Sequence, residues 1–167
     1  MKITLRKPKL SDLNQFHKIF NDKEMAKQLS GYSYPSTIEE SKKKLQEIIN
    51  QNKKGNYYEF AIIVNRNFVG SIVLEKPSKD KKIFTLGYAV GKKYWNKGIA
   101  TSAVKEIAKF GFNKLRLKKI VADNDEDNLG SARVLEKNGF SFIKKIRKKR
   151  GKTGKMINIL YWEKKLK

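Results

Sequence analysis

Apolar positions recur along this chain with two different periods, and the switches between them mark out its elements. Lys2 to Arg6 alternate polar and apolar, with Ile3 and Leu5 on one side, and Pro8 ends this first predicted strand. Leu13, Phe16, Ile19 and Phe20 then fall at helical spacing behind Ser11-Asp12. Ser36 to Glu39 reads as a capping box, a hydroxyl three residues ahead of a carboxylate, opening a second helix through Leu45, Ile48 and Ile49. From Tyr57 the period becomes that of strands. Tyr57 to Val64 and Phe68 to Leu74 form a hairpin across Asn65-Arg66-Asn67, and Ile83 to Val90 follows with Phe84, Leu86, Tyr88 and Val90 on one face. Gly87, inside that strand, signals a bulge or a close backbone approach. After Gly98 the helical period returns through Ala100, Ala103, Val104 and Ile107. A short strand, Lys119 to Ala122, precedes a helix from Asn128 to Lys137 that Asn138-Gly139 ends. Phe140 to Lys149 and Lys155 to Trp162 close the chain as a hairpin around Gly151 to Gly154. The order β-α-α-β-β-β-α-β-α-β-β predicts an α+β fold with one mixed sheet, in a single domain over residues 1–167.

The charge changes the list of partners. The chain carries 39 basic and 16 acidic residues, a formal net charge of +23. Six of the bases are Arg (Arg6, Arg66, Arg116, Arg133, Arg147, Arg150) and the other 33 are Lys. Base-specific nucleic-acid readers lean on the planar Arg fork, where Lys acts as a point charge. The surplus therefore fits a solvated surface set by composition as well as one built for polyanions. In either case the field attracts phosphorylated ligands and repels polycations. The absence of cysteine excludes disulfides, thiolate catalysis and Cys-ligated metals, and the lone histidine, His17, reads as a surface residue on the first helix. No metal is expected. With no apolar run of the ~18 residues a membrane span needs and no leader-like segment, the expectation is a cytoplasmic protein without a membrane partner.

The densest chemical signal is Gly87 to Thr101: a strand, a loop with Lys92, Lys93 and Lys97, then a helix opening on Gly98, Ile99 and Ala100. Amides at a helix N-terminus are unpaired and partly positive, which suits an anion such as a phosphate. Other phosphate motifs fail on counting. Gly151-Lys152-Thr153 has the tail of a P-loop, but Ile146 stands where that motif needs glycine, and no G-x-G-x-x-G occurs.

The segments Leu86-Gly87-Tyr88, Tyr94 to Thr101, Asn128-Leu129-Gly130-Ser131 and Leu135 to Phe140 resemble the GNAT superfamily of acyl-CoA-dependent N-acetyltransferases. The likeness is closest to the branch holding the ribosomal-protein N-terminal acetyltransferases. Gly98 and Ala100 match the family signature, Trp95 replaces its Gln or Arg, and Asn96 stands where the branch commonly has glycine. The resemblance implies a mixed, mostly antiparallel sheet flanked by helices and splayed between its fourth and fifth strands. It also implies acetyl-CoA as cosubstrate. Backbone amides of Lys97, Gly98, Ile99, Ala100 and Thr101 would hold the pyrophosphate. Lys93, Trp95 and Asn96 would contribute from the loop, and Tyr88, Ala89 and Val90 would lie along the pantetheine arm. Asn128 would bond that arm, and Ser131 would sit near the sulfur as general acid.

In the reaction so implied, a neutral amine attacks the thioester. An α-amine, with a pKa near ~7.7–8.0, supplies far more of that form at pH 7 than a Lys side chain near ~10.4. That difference and the +23 charge favour a protein or peptide N-terminus as acceptor over polyamines and aminoglycosides, with a small-molecule amine as the further alternative. A strand amide around Ala89 or Val90 would polarise the carbonyl. Glu59, Glu75 and Glu24 are the candidate bases, Glu59 first; Asp123 to Asp127 reads as carboxylates favouring the next helix's N-terminus. The competing class is a nucleic-acid- or ribosome-binding module built on Lys144 to Arg150 with Tyr161 and Trp162 opposite.

Overall fold

The elements follow the two periods closely in the computed structural model, which describes residues 2–29, 32–77, 80, 82–149 and 155–166. The strands are β1 (Thr4–Arg6), β2 (Tyr57–Val64), β3 (Asn67–Glu75), β4 (Ile83–Val90), β5 (Lys119–Asp125), β6 (Ser141–Lys149) and β7 (Met156–Lys165). The α-helices are α1 (Leu13–Phe20), α2 (Lys23–Gln28), α3 (Ile38–Gln51), α4 (Ile99–Asn113) and α5 (Leu129–Lys137). Short 3-10 turns at Leu10–Asp12 and Lys92–Tyr94 lead into the first and fourth of them.

One seven-stranded sheet, in the order β1-β2-β3-β4-β5-β7-β6, forms the centre. Every pairing is antiparallel except β4 with β5. Strand alternation sends Ile62, Ile72, Leu74, Leu86, Ile120 and Trp162 to one face, where they bury Ala103, Val104 and Ile107 of α4 and Leu135 of α5. The other face carries Ala61 and Phe68 against Phe16 and Phe20 of α1 and Leu45 and Ile48 of α3. This second core involves no residue of β5, β6 or β7, so the α1/α3 face of that half of the sheet lies open. No helix among the described residues is long and apolar enough to cross a membrane.

The structure corrects several expectations. The capping box is one residue later: Thr37 accepts from the Glu40 amide while Glu40 bonds back to the Thr37 amide. The six residues of α2 are too few to show a helical stripe, so the pattern passes over them; Asp22 caps them by accepting from the amides of Glu24 and Met25. Strand β5 runs three residues beyond Ala122 because β7 continues to pair with it as far as Asp125 opposite Ile159. His17 is half-buried, with Nδ1 2.8 Å from the hydroxyl of buried Ser41, and ties α1 to α3. The turn expected at Gly151 to Gly154 lies outside the described residues.

Candidate active site

The parallel pair comes apart part-way along. β4 and β5 are in register from Ile83 opposite Lys119 to Leu86 opposite Ala122, and there the pairing stops. Beyond it β4 stays with β3 as far as Val90 opposite Gly70, while β5 stays with β7. Gly87 to Val90 thus have a free edge facing a split. No bulge accompanies it, because the β3 register is continuous through Gly87; a Cβ there would meet a Val73 methyl at 3.2 Å. The tighter glycine is Gly70, where a Cβ would stand 2.1 Å from the Ala89 carbonyl oxygen. The Gly91 amide donates to the Val69 carbonyl at 2.9 Å, which fixes the alternation of bonds along β4. Gly87 and Ala89 then bond to β3, while Tyr88 and Val90 aim their amides and carbonyls into the split. Of the two amides expected to polarise a carbonyl there, that of Val90 points into the split and that of Ala89 is bonded to β3.

At the end of the split stands the N-terminus of α4. Gly98 is its N-cap in the left-handed region (φ 72°), no side chain caps it, and its first turn holds no acid. A Cβ on Gly98 would meet no atom within 4 Å, so the approach to the amides of Ile99, Ala100 and Thr101 is open. Asn96 is also left-handed (φ 58°), and the two residues turn the loop back toward the strand. Trp95 closes that loop: its indole N–H donates to the Val90 carbonyl at 2.6 Å while 39% of its surface stays exposed. Lys93 and Lys97 lie over the Tyr94 ring, 4.8 and 5.9 Å from its centroid. Lys93 also lines a cavity of about 560 Å³ on the α1 side, with Lys92 and Tyr94 of the loop and Gln15, Lys18 and Asp22 of the helical side.

On the α4/α5 face, the Tyr88 hydroxyl lies 2.8 Å from Ser131 Oγ and donates to the Ser131 carbonyl at 3.2 Å. Burial, partly offset by the Ser131 bond, pushes the Tyr88 hydroxyl up to about 12, so it keeps its proton at neutral pH. Asn128 caps α5 by accepting from the Ser131 amide at 3.0 Å, and its Nδ2 has no bonded partner among the described residues. Asn124 holds this corner, donating to the Asn128 carbonyl and accepting from the Trp162 indole at 2.7 Å. Trp162 is accordingly 5% exposed and cannot serve the nucleic-acid surface expected of it.

The α1/α3 face carries carboxylates. Glu59 opposes Val73, and Val73 opposes Gly87, so all three share one row across β2, β3 and β4. Glu59 is 4% exposed and accepts from the Tyr57 hydroxyl, two residues back on the same face, and from Ser71. Burial raises its carboxyl above the ordinary range, against the lowering effects of Tyr57, Ser71 and Lys44. Tyr57 in turn lines a polar cavity of about 190 Å³ with Lys44, Glu47 and Glu75. Glu75 is exposed and Glu24 pairs with Lys27 at 3.0 Å, so among the three candidate bases only Glu59 is buried. Tyr57 and Ser71 escaped the sequence reading, although the i, i+2 spacing of Tyr57 and Glu59 already put both on one strand face. Asp123 and Asp125 belong to β5 and not to the start of α5, whose first turn is free of acids.

A free strand edge leading to an uncapped helix N-terminus is an arrangement suited to an extended, phosphorylated carrier. The acetyltransferase (GNAT) domain profile matches residues 2–141. The chain belongs to the GNAT acetyltransferase family. An uncharacterized N-acetyltransferase, p20, from Bacillus licheniformis is 27% identical over 145 residues, covering 86% of this chain and 80% of p20. Among solved GNAT structures, RimL, a ribosomal L7/L12 alpha-N-protein acetyltransferase in complex with coenzyme A, superposes with a TM-score of 0.90 at 17% identity, over 99% of this chain and 95% of RimL. The microcin C7 self-immunity acetyltransferase MccE, in complex with acetyl-CoA and AMP, gives 0.88 at 20% identity, over 99% of this chain and 93% of MccE. The superposition extends over nearly the whole of this GNAT chain, including β4 and β5.

Proposed function

We propose that this GNAT enzyme moves an acetyl group from acetyl-CoA to the α-amine of a protein or peptide. The observation that carries the cosubstrate is the N-terminus of α4: three amides without intrahelical acceptors, an open Gly98 and no acid nearby, at the end of a free strand edge. A diphosphate fits those donors, and an amide-bearing arm fits the unpaired edge of Tyr88 and Val90. Acetyl-CoA supplies an acetyl group activated as a thioester; this chain's residues do the rest. The Tyr88 and Val90 amides both point into the split, and the one beside the acetyl group would accept the negative charge that grows on the carbonyl oxygen. Ser131, held by Tyr88, is placed to return a proton to the departing sulfur. Glu59 is two strand spacings (~4.8 Å each) from Gly87 and would take the amine's proton through a chain of waters. Its raised pKa brings it closer to that of an α-amine. The new bond joins amine nitrogen to acetyl carbon, the carbon–sulfur bond breaks, and one proton leaves the nitrogen while one reaches the sulfur.

The α-amine acceptor is supported by the chemistry of neutral amines, by the +23 charge that disfavours polycations, and by the acceptor named for RimL. Melting with and without acetyl-CoA tests the cosubstrate. Stabilisation should rise with ligand concentration, by about 2.7 kcal/mol at a hundred times Kd, and Gly98→Asp should remove it by setting a carboxylate beside the phosphates. No stabilisation of the unsubstituted chain would overturn the reading. Thiol release with N-terminal peptides, polyamines and aminoglycosides then ranks the acceptors.

A further inference from the structure

The row that holds Glu59, Val73 and Gly87 continues on the far side of the split. Leu86 and Ala122 are the last residues in register, so Asp123 is the residue of β5 that faces Gly87 across the opening. Asp123 opposes Tyr161 of β7, which opposes Lys144 of β6, and Lys144 lies over the Tyr161 ring at 5.7 Å. Ala122 and Asn124, on either side of it, are buried on the α4/α5 face, so Asp123 projects from the α1/α3 face. Tyr88 and Ser131 occupy the opposite face. An incoming amine and a departing sulfur would therefore be served from opposite sides of the sheet.

Asp123 has no hydrogen bond or ion pair among the described residues; exposed acids such as Glu39 and Asp127 share that, but Asp123 stands in the row that crosses the split. Its side chain is open to solvent, yet enough protein surrounds it for lost hydration to raise its carboxyl, outweighing Lys148. A carboxylate beside the split with no protein partner is disposed to bind a cation from outside. Gly87 offers no side chain to fill the space before it.

We propose that Asp123 is the residue that receives the acceptor's ammonium group and orients it over Gly87 at the split. This rests on the acetyltransfer reading and adds the acceptor's charge state and its anchor. It also explains how a chain of net charge +23 draws in a cation, since a short-range contact at one carboxylate survives the screening that weakens the distant field beyond ~8 Å at physiological salt. Asp123 binds and positions; Glu59 takes one proton from the ammonium to free the neutral amine, which attacks, and the second proton leaving the nitrogen balances the one that reaches the sulfur.

Steady-state kinetics on an N-terminal peptide, with acetyl-CoA saturating, test this. Asp123→Asn should raise the peptide's KM about 10-fold or more, with kcat and stabilisation by acetyl-CoA within about two-fold of the unsubstituted enzyme. Asp123→Glu should recover part of the loss. Lys148→Gln removes the cation that acts on Asp123 from an exposed edge strand and should lower KM, an opposite result that misfolding cannot imitate. An unchanged KM in Asp123→Asn, or a fall in kcat at constant KM, would overturn the assignment while leaving acetyl transfer intact. A full-length enzyme that neither binds acetyl-CoA nor releases thiol with any amine would overturn both.

Discussion

At the scale of single side chains, Ser131 and Glu59 test the proposed chemistry and Asp12 tests stability. Ser131→Ala leaves the α5 cap in place, because Asn128 bonds the Ser131 amide and not its hydroxyl. Acetyl-CoA affinity should hold while kcat falls by about 10²-fold, the lower end for a general acid; a normal rate across the pH range would remove Ser131 from the mechanism. As the proposed base Glu59 must be ionised to act, and its pKa is raised chiefly by burial. The acid limb of kcat should therefore lie above the ordinary carboxylate range, and Glu59→Gln should abolish it along with most of the rate. The same shift bears on stability. The native state holds the Glu59 proton where the unfolded chain has released it, so stability falls as pH rises from about 4.5 toward the folded pKa. Glu59→Gln should lack that decline in pH-dependent melts. Asp12 has the reverse sign. Burial alone would raise its carboxyl, but bonds from Arg6 at 2.8 and 2.5 Å and from the Lys9 amide leave it lowered. Its contribution, about 2 kcal/mol, is present above pH 3.8 and lost as pH falls below it through the depressed folded value; Asp12→Asn should melt earlier at pH 7 and converge with the parent in acid.

At the scale of elements, the site depends on how closely β3 approaches β4. Gly70→Ala would set a methyl group inside the Ala89 carbonyl. The pair would have to part, and a loss of about 3 kcal/mol or more is expected in denaturant unfolding. Trp95→Phe keeps the ring and removes the indole bond to Val90. Loosening that loop should weaken acetyl-CoA binding several-fold in titration while melting of the free enzyme changes little. Strands and the long helices were legible in the sequence because each buries one stripe at a fixed period, as Phe84, Leu86 and Val90 do on β4. The split itself carried only an indirect sign. Gly87 pointed to an irregularity at the right place but of the wrong kind, since the strands diverge through loss of a partner and not through an inserted residue. The extension of β5 to Asp125 was hidden because acidic residues in a row break the apolar alternation. Without that extension, Asp123 reads as one of the carboxylates favouring the N-terminus of the next helix, and its position facing the split stays hidden.

For the molecule as a whole, 33 lysines against few acids mean self-repulsion in the folded state. Raising salt from 20 to 300 mM should increase the melting temperature, by about 2–4 °C for each kcal/mol of repulsion screened; a fall would show that specific ion pairs such as Lys119–Glu163 at 3.2 Å outweigh the net field. The basic edge strand β6 is exposed along all nine of its residues, and lysines in such a place guard the edge against pairing with other chains. The bond between Trp95 and Val90 has a last effect at this scale. With that carbonyl occupied, the open edge offers a guest the N–H and C=O of Tyr88 and the N–H of Val90, a ladder of three rungs beneath a fixed lintel. A molecule threaded there cannot slide: its phosphates are stopped at one end and its amides have a single set of rungs. The depth at which its reactive end comes to rest is therefore gauged by the backbone, and carriers whose arm is lengthened or shortened by one methylene should bind yet present the acetyl group out of reach.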